Sequence, residues 1–148
     1  MSPSPSSPEQ TIYVVDDDEA LRDSLLWMLE SNGYRAVGFD CAEAFLAAHH
    51  PGMAGCLVLD VRMPGMSGLE LFEELRARLC PLPVVFVTGH GDVPMAVLAL
   101  KKGASDFIEK PFNDKEMLAL IEQCLAREQE TRERLRQEAD AARRLGIE

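Results

Sequence analysis

The tract CLVLDVRMPGMSG at residues 56–68 constrains this chain more than any other. A short apolar run bounded by Pro, Gly and Ser reads as a strand buried on both faces, the pattern of a parallel sheet. The run closes on a carboxylate, Asp60. That residue would stand at the carboxyl end of its strand, where open α/β sheets place their ligands. A charge buried there is costly unless it is paired or bound to a metal. The ends of other apolar runs offer fitting partners: acids at Asp16 and Asp17, and a cation at Lys110.

The remaining elements follow from periodicity and turn chemistry. Residues 1–10, MSPSPSSPEQ, hold nothing to bury and read as a disordered leader. A strand over 12–15 runs into Asp16, Asp17, Asp18 and Glu19. Leu21, Leu25, Met28 and Leu29 then recur at helical spacing, and Asn32-Gly33 closes that helix. A second strand spans 35–39, and Asp40 with Glu43 has the spacing of a capping pair for a helix through Ala48. After the strand at 56–60, Ser67 with Glu70 opens a helix carrying Leu71, Leu75 and Leu79 on one face. A β-branched strand at 84–88 leads into a flexible Gly89-His90-Gly91 loop, and Asp92 is placed to cap a helix over 93–102. The strand at 106–109 is less apolar and belongs at an edge. Lys110-Pro111 breaks it, and Asn113 with Glu116 opens a long helix burying Met117, Leu120, Ile121 and Cys124.

Strands alternating with helices at this spacing predict an α/β fold: a doubly wound, five-stranded parallel sheet with helices on both faces and an extended C-terminal helix. The order 2-1-3-4-5, flavodoxin-like, is one of the two common doubly wound solutions and opens its ligand cleft between strands 1 and 3.

Charge and cysteine usage narrow the function classes. With 25 acids against 15 bases, the formal net charge of −10 disfavours the non-specific nucleic-acid and membrane binding that basic patches drive. No apolar run reaches membrane-span length and no basic-then-apolar leader precedes the first strand, so the chain reads as cytoplasmic. Cys41, Cys56, Cys80 and Cys124 form no C-x-x-C pair and read as free thiols. His49, His50 and His90 show no zinc-ligand spacing with them. Residues 127–148 are mostly charged, with Glu128→Arg132, Glu130→Arg134 and Asp140→Arg144 spaced to pair along a helix. Leu135, Ala139 and Ala142 give this tail only a thin apolar seam, which fits a solvated helical linker or a short coiled coil joining two copies.

With strands 1 and 3 adjacent, Asp16, Asp17 and Asp60 converge at one rim. Such carboxylates repel one another unless a cation neutralises them, and an oxygen-only donor set that keeps several waters suits Mg²⁺ better than Ca²⁺. Thr88 and Lys110, at the ends of strands 4 and 5, offer a hydroxyl and an ammonium to an anion. A carboxylate nucleophile beside a metal, with those two groups opposite, fits formation of an aspartyl phosphate. Taken singly the signals are ordinary: Lys110 a surface lysine, Phe107 a core or edge aromatic, Asp18 and Glu19 a helix cap and first-turn acid. A Mg²⁺-dependent phosphatase with an Asp nucleophile wants a second Asp two residues on, where Arg62 stands. A flavin or nucleotide carrier wants a glycine- or hydroxyl-rich loop after strand 1, where three aspartates stand.

The segments VVDDDEALRDSL, CLVLDVRMPGMSGLEL and VVFVTGHGDVPMAVLALKKGASDFIEKPF resemble the receiver domain of bacterial two-component response regulators, a flavodoxin/CheY-like fold, over residues 11–126. The tract TGHGDVPMAV is similar to FixJ-like regulators and, less, to DctD-like ones. The resemblance implies Asp60 as phosphoacceptor for a sensor histidine kinase. It implies Mg²⁺ held by Asp17, Asp60 and the backbone carbonyl of Arg62, with Asp16 acting through water. Thr88 would be the switch hydroxyl, Lys110 the phosphate-binding lysine and Phe107 the switch aromatic, with a cis peptide at Lys110-Pro111. Phosphorylation would drive a homodimer through the fourth helix, fifth strand and fifth helix. Residues 127–148 alternate in charge sign and offer no second helix pair, so no direct nucleic-acid contact is expected of this fragment. The resemblance implies transcription regulation through an output domain beyond the tail, LuxR-type for a FixJ-like chain or ATPase-coupled for a DctD-like one. A stand-alone receiver acting by protein contacts is the alternative.

Overall fold

A computed structural model describes residues 10–146. Its strands are β1 (Gln10–Val15), β2 (Ala36–Phe39), β3 (Ala54–Asp60), β4 (Val84–Thr88) and β5 (Asp106–Glu109), all parallel, in the order β2-β1-β3-β4-β5. The helices are α1 (Glu19–Ser31), α2 (Ala42–Ala48), α3 (Gly68–Ala77), α4 (Val93–Lys101) and α5 (Asp114–Arg144). Every residue of β3 and β4 is buried, as continuous apolar runs in a sheet covered on both faces require.

Side-chain alternation along the strands divides the interior into two layers. Tyr13, Val15, Leu57, Leu59 and Phe86 pack with Phe45, Leu71 and Leu75 of α2 and α3. Ile12, Val14, Cys56, Val58 and Val85 pack with Leu25 and Leu29 of α1 and with Met117 and Ile121 of α5. Phe45 meets Tyr13 and Phe39 edge-on, and Phe86 meets Phe72 likewise, with centroids 5.3–5.8 Å apart. β5, the edge strand, has one buried residue, Ile108.

Helix entries divide into those the sequence pattern predicts and those tertiary contacts redirect. Both capping boxes form, Ser67 with Glu70 and Asn113 with Glu116, and Asp18 caps α1 by accepting from the Leu21 amide at 3.2 Å. Asp40 does not cap α2: Cys41 takes that position without a side-chain bond. The Glu43 carboxylate accepts from the Met66 amide at 3.0 Å instead. Asp92 holds the N-cap position of α4 but makes no cap bond, and a 3₁₀ turn over His90–Asp92 replaces the expected flexible loop.

Three further expectations need correction. Leu79 leaves the α3 stripe because the helix ends at Ala77 with Arg78 as its C-cap; Leu79 has a left-handed backbone (φ 57°) and is 88% exposed. Gln10, placed in the leader, opens β1 and is fully buried, while residues 1–9 lie outside the described residues. Asp140 pairs with Arg143, not Arg144, although Glu128 does pair with Arg132 as spaced. The last helix of the domain and the charged tail form one continuous α5 of 31 residues. Among the described residues, Trp27 (71% exposed), Leu98 and Leu135 stand out to solvent, and no helix is long and apolar enough to cross a membrane.

Candidate functional site

Because β1 is flanked by β2 and β3, the topological switch point lies between β1 and β3, and their carboxyl ends open onto one rim. Asp16 and Asp17 follow directly on β1, Asp60 is the last residue of β3, Thr88 the last of β4, and Lys110 follows β5. The fold therefore brings together all five polar side chains that the sequence singled out at strand ends. One carboxylate oxygen each from Asp16, Asp17 and Asp60 lies within 4.8 Å of the others. The Lys110 ammonium stands 3.5 Å from Oδ2 of Asp60, and the Arg62 amide donates weakly to Oδ1 at 3.4 Å.

Burial and charge set the electrostatics. Asp16 and Asp60 are buried, whereas Asp17 faces solvent. Burial, then the charge of Asp16, pushes the Asp60 carboxyl up to about 7, against a smaller opposing pull from Lys110. Oδ1 of Asp16 accepts from the Asp18 amide at 2.9 Å, but its buried Oδ2 has no hydrogen-bond partner. An unpartnered carboxylate oxygen is expensive to bury and is the position a cation relieves. Three hard oxygen donors, one of them open to water, fit a small divalent ion such as Mg²⁺. The adjoining depression, about 350 Å³, is lined by Asp17, Arg62, Met63, Pro64 and Ser67.

The remaining side chains frame this rim. Thr88 is buried and its hydroxyl donates to the Gly89 carbonyl at 3.1 Å. Phe107 lies opposite Phe86 in the β4–β5 register, half-buried against the α2–α4 layer. The Lys110–Pro111 peptide is cis, as the resemblance implies. Gly68 is where the loop returns to the site: a Cβ there would sit 2.0 Å from the Asp60 carbonyl oxygen.

Sequence reasoning missed two braces across this end of the sheet. The Arg62 guanidinium donates from Nε to both Asp92 oxygens at 2.8 Å, which is why Asp92 does not cap α4. His90 Nδ1 meets Glu109 at 2.8 Å. Partners 30 and 19 residues apart leave no spacing signal; only the β4–β5 pairing, once known, brings His90 near Glu109.

A doubly wound parallel sheet thus gathers an acidic triad, a hydroxyl and an ammonium at its carboxyl rim. Residues 12–122 match the model of the response regulator receiver domain, and the chain belongs to that family. It is 53% identical over 115 residues to the transcriptional regulatory protein FixJ of Bradyrhizobium diazoefficiens, covering 77% of this chain and 56% of that protein. Its fold superposes on the response regulator StyR with a TM-score of 0.84 at 47% identity, over 93% of this chain and 69% of that one. Full-length FixJ from B. japonicum gives 0.75 at 50% identity, over 81% and 59%. This is a FixJ-like receiver domain of a two-component response regulator, and the chain spans about half the length of the curated relatives it matches, 56–57% of the three FixJ proteins and 56% of nodulation protein W. Receiver domains of this kind are phosphorylated by sensor histidine kinases and generally use Mg²⁺.

Proposed function

We propose that Asp60 accepts the phosphoryl group from a sensor histidine kinase and that the rim converts this event into a change of the α4–β5–α5 surface. The observation that carries the reading is the meeting of Asp16, Asp17, Asp60, Thr88 and Lys110 at one edge. An Asp60 carboxylate oxygen bonds to phosphorus as the bond from phosphorus to the kinase histidine nitrogen breaks, and the imidazole departs. Asp16, Asp17 and Asp60, with the carbonyl of Arg62, would hold Mg²⁺, which neutralises charge on the phosphoryl oxygens. Lys110, already beside Asp60, supplies a second cation to the same oxygens. It also favours the ionised nucleophile against burial.

Phosphorylation adds acceptor oxygens next to a buried hydroxyl that now donates only to a neighbouring carbonyl. Thr88 gains by turning toward the phosphoryl group, and Phe107 moves into the vacated space. The α4–β5–α5 face then pairs with a second copy. In this reading residues 11–126 are the receiver and 127–148 the helical linker to a DNA-binding output domain, through which transcription is regulated in the cytoplasm.

Intact mass after incubation with a small acyl-phosphate donor tests the assignment. The wild-type chain is expected to gain one phosphoryl group only with Mg²⁺, and Asp60→Asn none. An adduct surviving in Asp60→Asn, or no adduct on wild type from either donor or kinase, would overturn it.

A further inference from the structure

A second buried polar cluster lies at the opposite edge of the sheet, far from the rim. Its centre is Glu128, the last buried residue of α5 and 6% exposed. Oε1 of Glu128 accepts from Gln10 Nε2 at 2.8 Å and from the Gly55 amide at 3.1 Å. Oε2 accepts from Arg132 Nε at 3.0 Å. Gln10 Nε2 also donates to the Leu125 carbonyl at 2.8 Å, so one carboxamide bridges two turns of α5. Gln10 and Gly55 sit at the amino ends of β1 and β3, the two strands that carry the acidic triad at their other ends. Gly55 is irreplaceable there: its φ is +132°, and a Cβ would stand 1.8 Å from the Thr11 carbonyl oxygen.

This cluster coincides with the point where α5 leaves the domain. Met117, Ile121, Cys124 and Leu125 are buried before it, and residues 133–140 are exposed after it. Apolar packing lets a helix slide or roll at little expense, whereas a buried carboxylate with donors from three elements is satisfied in one arrangement only. Two of those donors belong to strands, and Arg132 belongs to the outgoing helix itself.

We propose that Glu128 is a positioning residue that pins the outgoing half of α5 to the amino ends of β1 and β3 and so fixes its direction from the domain. The linker then moves as one body with the sheet. On the functional reading above, the phosphorylated state is communicated through the α4–β5–α5 face, and α5 does not pivot at its exit.

Backbone amide exchange by NMR on the 148-residue chain tests the clamp without modifying Asp60. Glu128→Ala and Gln10→Ala are each expected to speed exchange of the Gly55 amide and of α5 amides over 124–132 about tenfold or more, equivalent to about 1.4 kcal/mol. Amides of β4, which make no bond to Glu128, stay unchanged, and Glu128→Gln, which keeps an acceptor oxygen, falls between. Residual dipolar couplings of residues 129–144 relative to the sheet are expected to coincide before and after beryllofluoride with Mg²⁺. Unchanged exchange in the substituted chains overturns the clamp, and Gln10→Ala decides it if Glu128→Ala fails to fold. A new helix tilt on adding beryllofluoride to wild type overturns the fixed direction. Absence of any beryllofluoride response at the rim instead counts against Asp60 as acceptor, while the exchange result still judges the clamp.

Discussion

In chelating buffer, raising the pH from about 5 to about 8 strips a proton from a carboxyl that the folded chain holds tightly, so the fold loses stability over a range where most proteins are indifferent. Asp60 is held up to about 7 against an ordinary 3.8, first by burial and then by the charge of Asp16. Between those values the folded chain binds more protons than the unfolded one, and stability falls as pH rises. The loss is absent below 3.8, grows by about 1.36 kcal/mol per pH unit and is complete above about 7, with a ceiling of about 4 kcal/mol. The part of this loss that falls between pH 5 and pH 8 is about 2–3 kcal/mol, which is the working figure. Urea unfolding followed by ellipticity reads this as a midpoint lower by about 1–2 M at pH 8. Asp60→Asn removes the titrating group and flattens the profile, at the expense of leaving Lys110 without its partner. Mg²⁺ restores the wild-type midpoint at pH 8 and does little for Asp60→Asn. A wild-type midpoint that holds or rises over this window, or an Asp60→Asn profile falling in parallel, would refute the reasoning.

Two further substitutions probe how the rim is built. Gly68→Ala forces a methyl to within 2.0 Å of the Asp60 carbonyl oxygen, so the start of α3 must move away from the site. A loss of about 2–3 kcal/mol in urea unfolding and weaker Mg²⁺ binding are expected, and wild-type values for both would show that the loop has slack. Asn113→Ala removes the side chain that accepts from the Glu116 amide at 2.8 Å and is expected to cost about 1 kcal/mol, read as a fall of about 2–4 °C in Tm.

What the sequence disclosed and what it hid separate along one physical line. Elements set by neighbours in the chain are legible: the all-buried β3, the capping boxes at Ser67 and Asn113, and the edge position of β5. The rim was legible too, because Asp16, Asp60, Thr88 and Lys110 each end an apolar run, and parallel topology alone makes those ends converge. Side chains that choose between a local and a distant partner were not legible. Asp92 had a helix to cap and took Arg62; Asp40 and Glu43 had the spacing of a capping pair, and Glu43 bonded to Met66. Gln10 looked like the end of a polar leader because its acceptor, Glu128, lies 118 residues away. Leu79 fitted the helical stripe, but α3 ends before it and the chain turns left-handed at Leu79 itself.

The single tryptophan has a spectroscopic consequence. Trp27 projects from α1 with most of its indole in water, so folding and unfolding change its surroundings little. Both tyrosines, Tyr13 and Tyr34, are buried, and their absorbance carries the signal of lost packing instead. Emission from this chain therefore serves poorly as a thermometer of the core. It is a gauge of whatever comes to rest against α1, blue-shifting when that surface is covered and staying still when the interior melts.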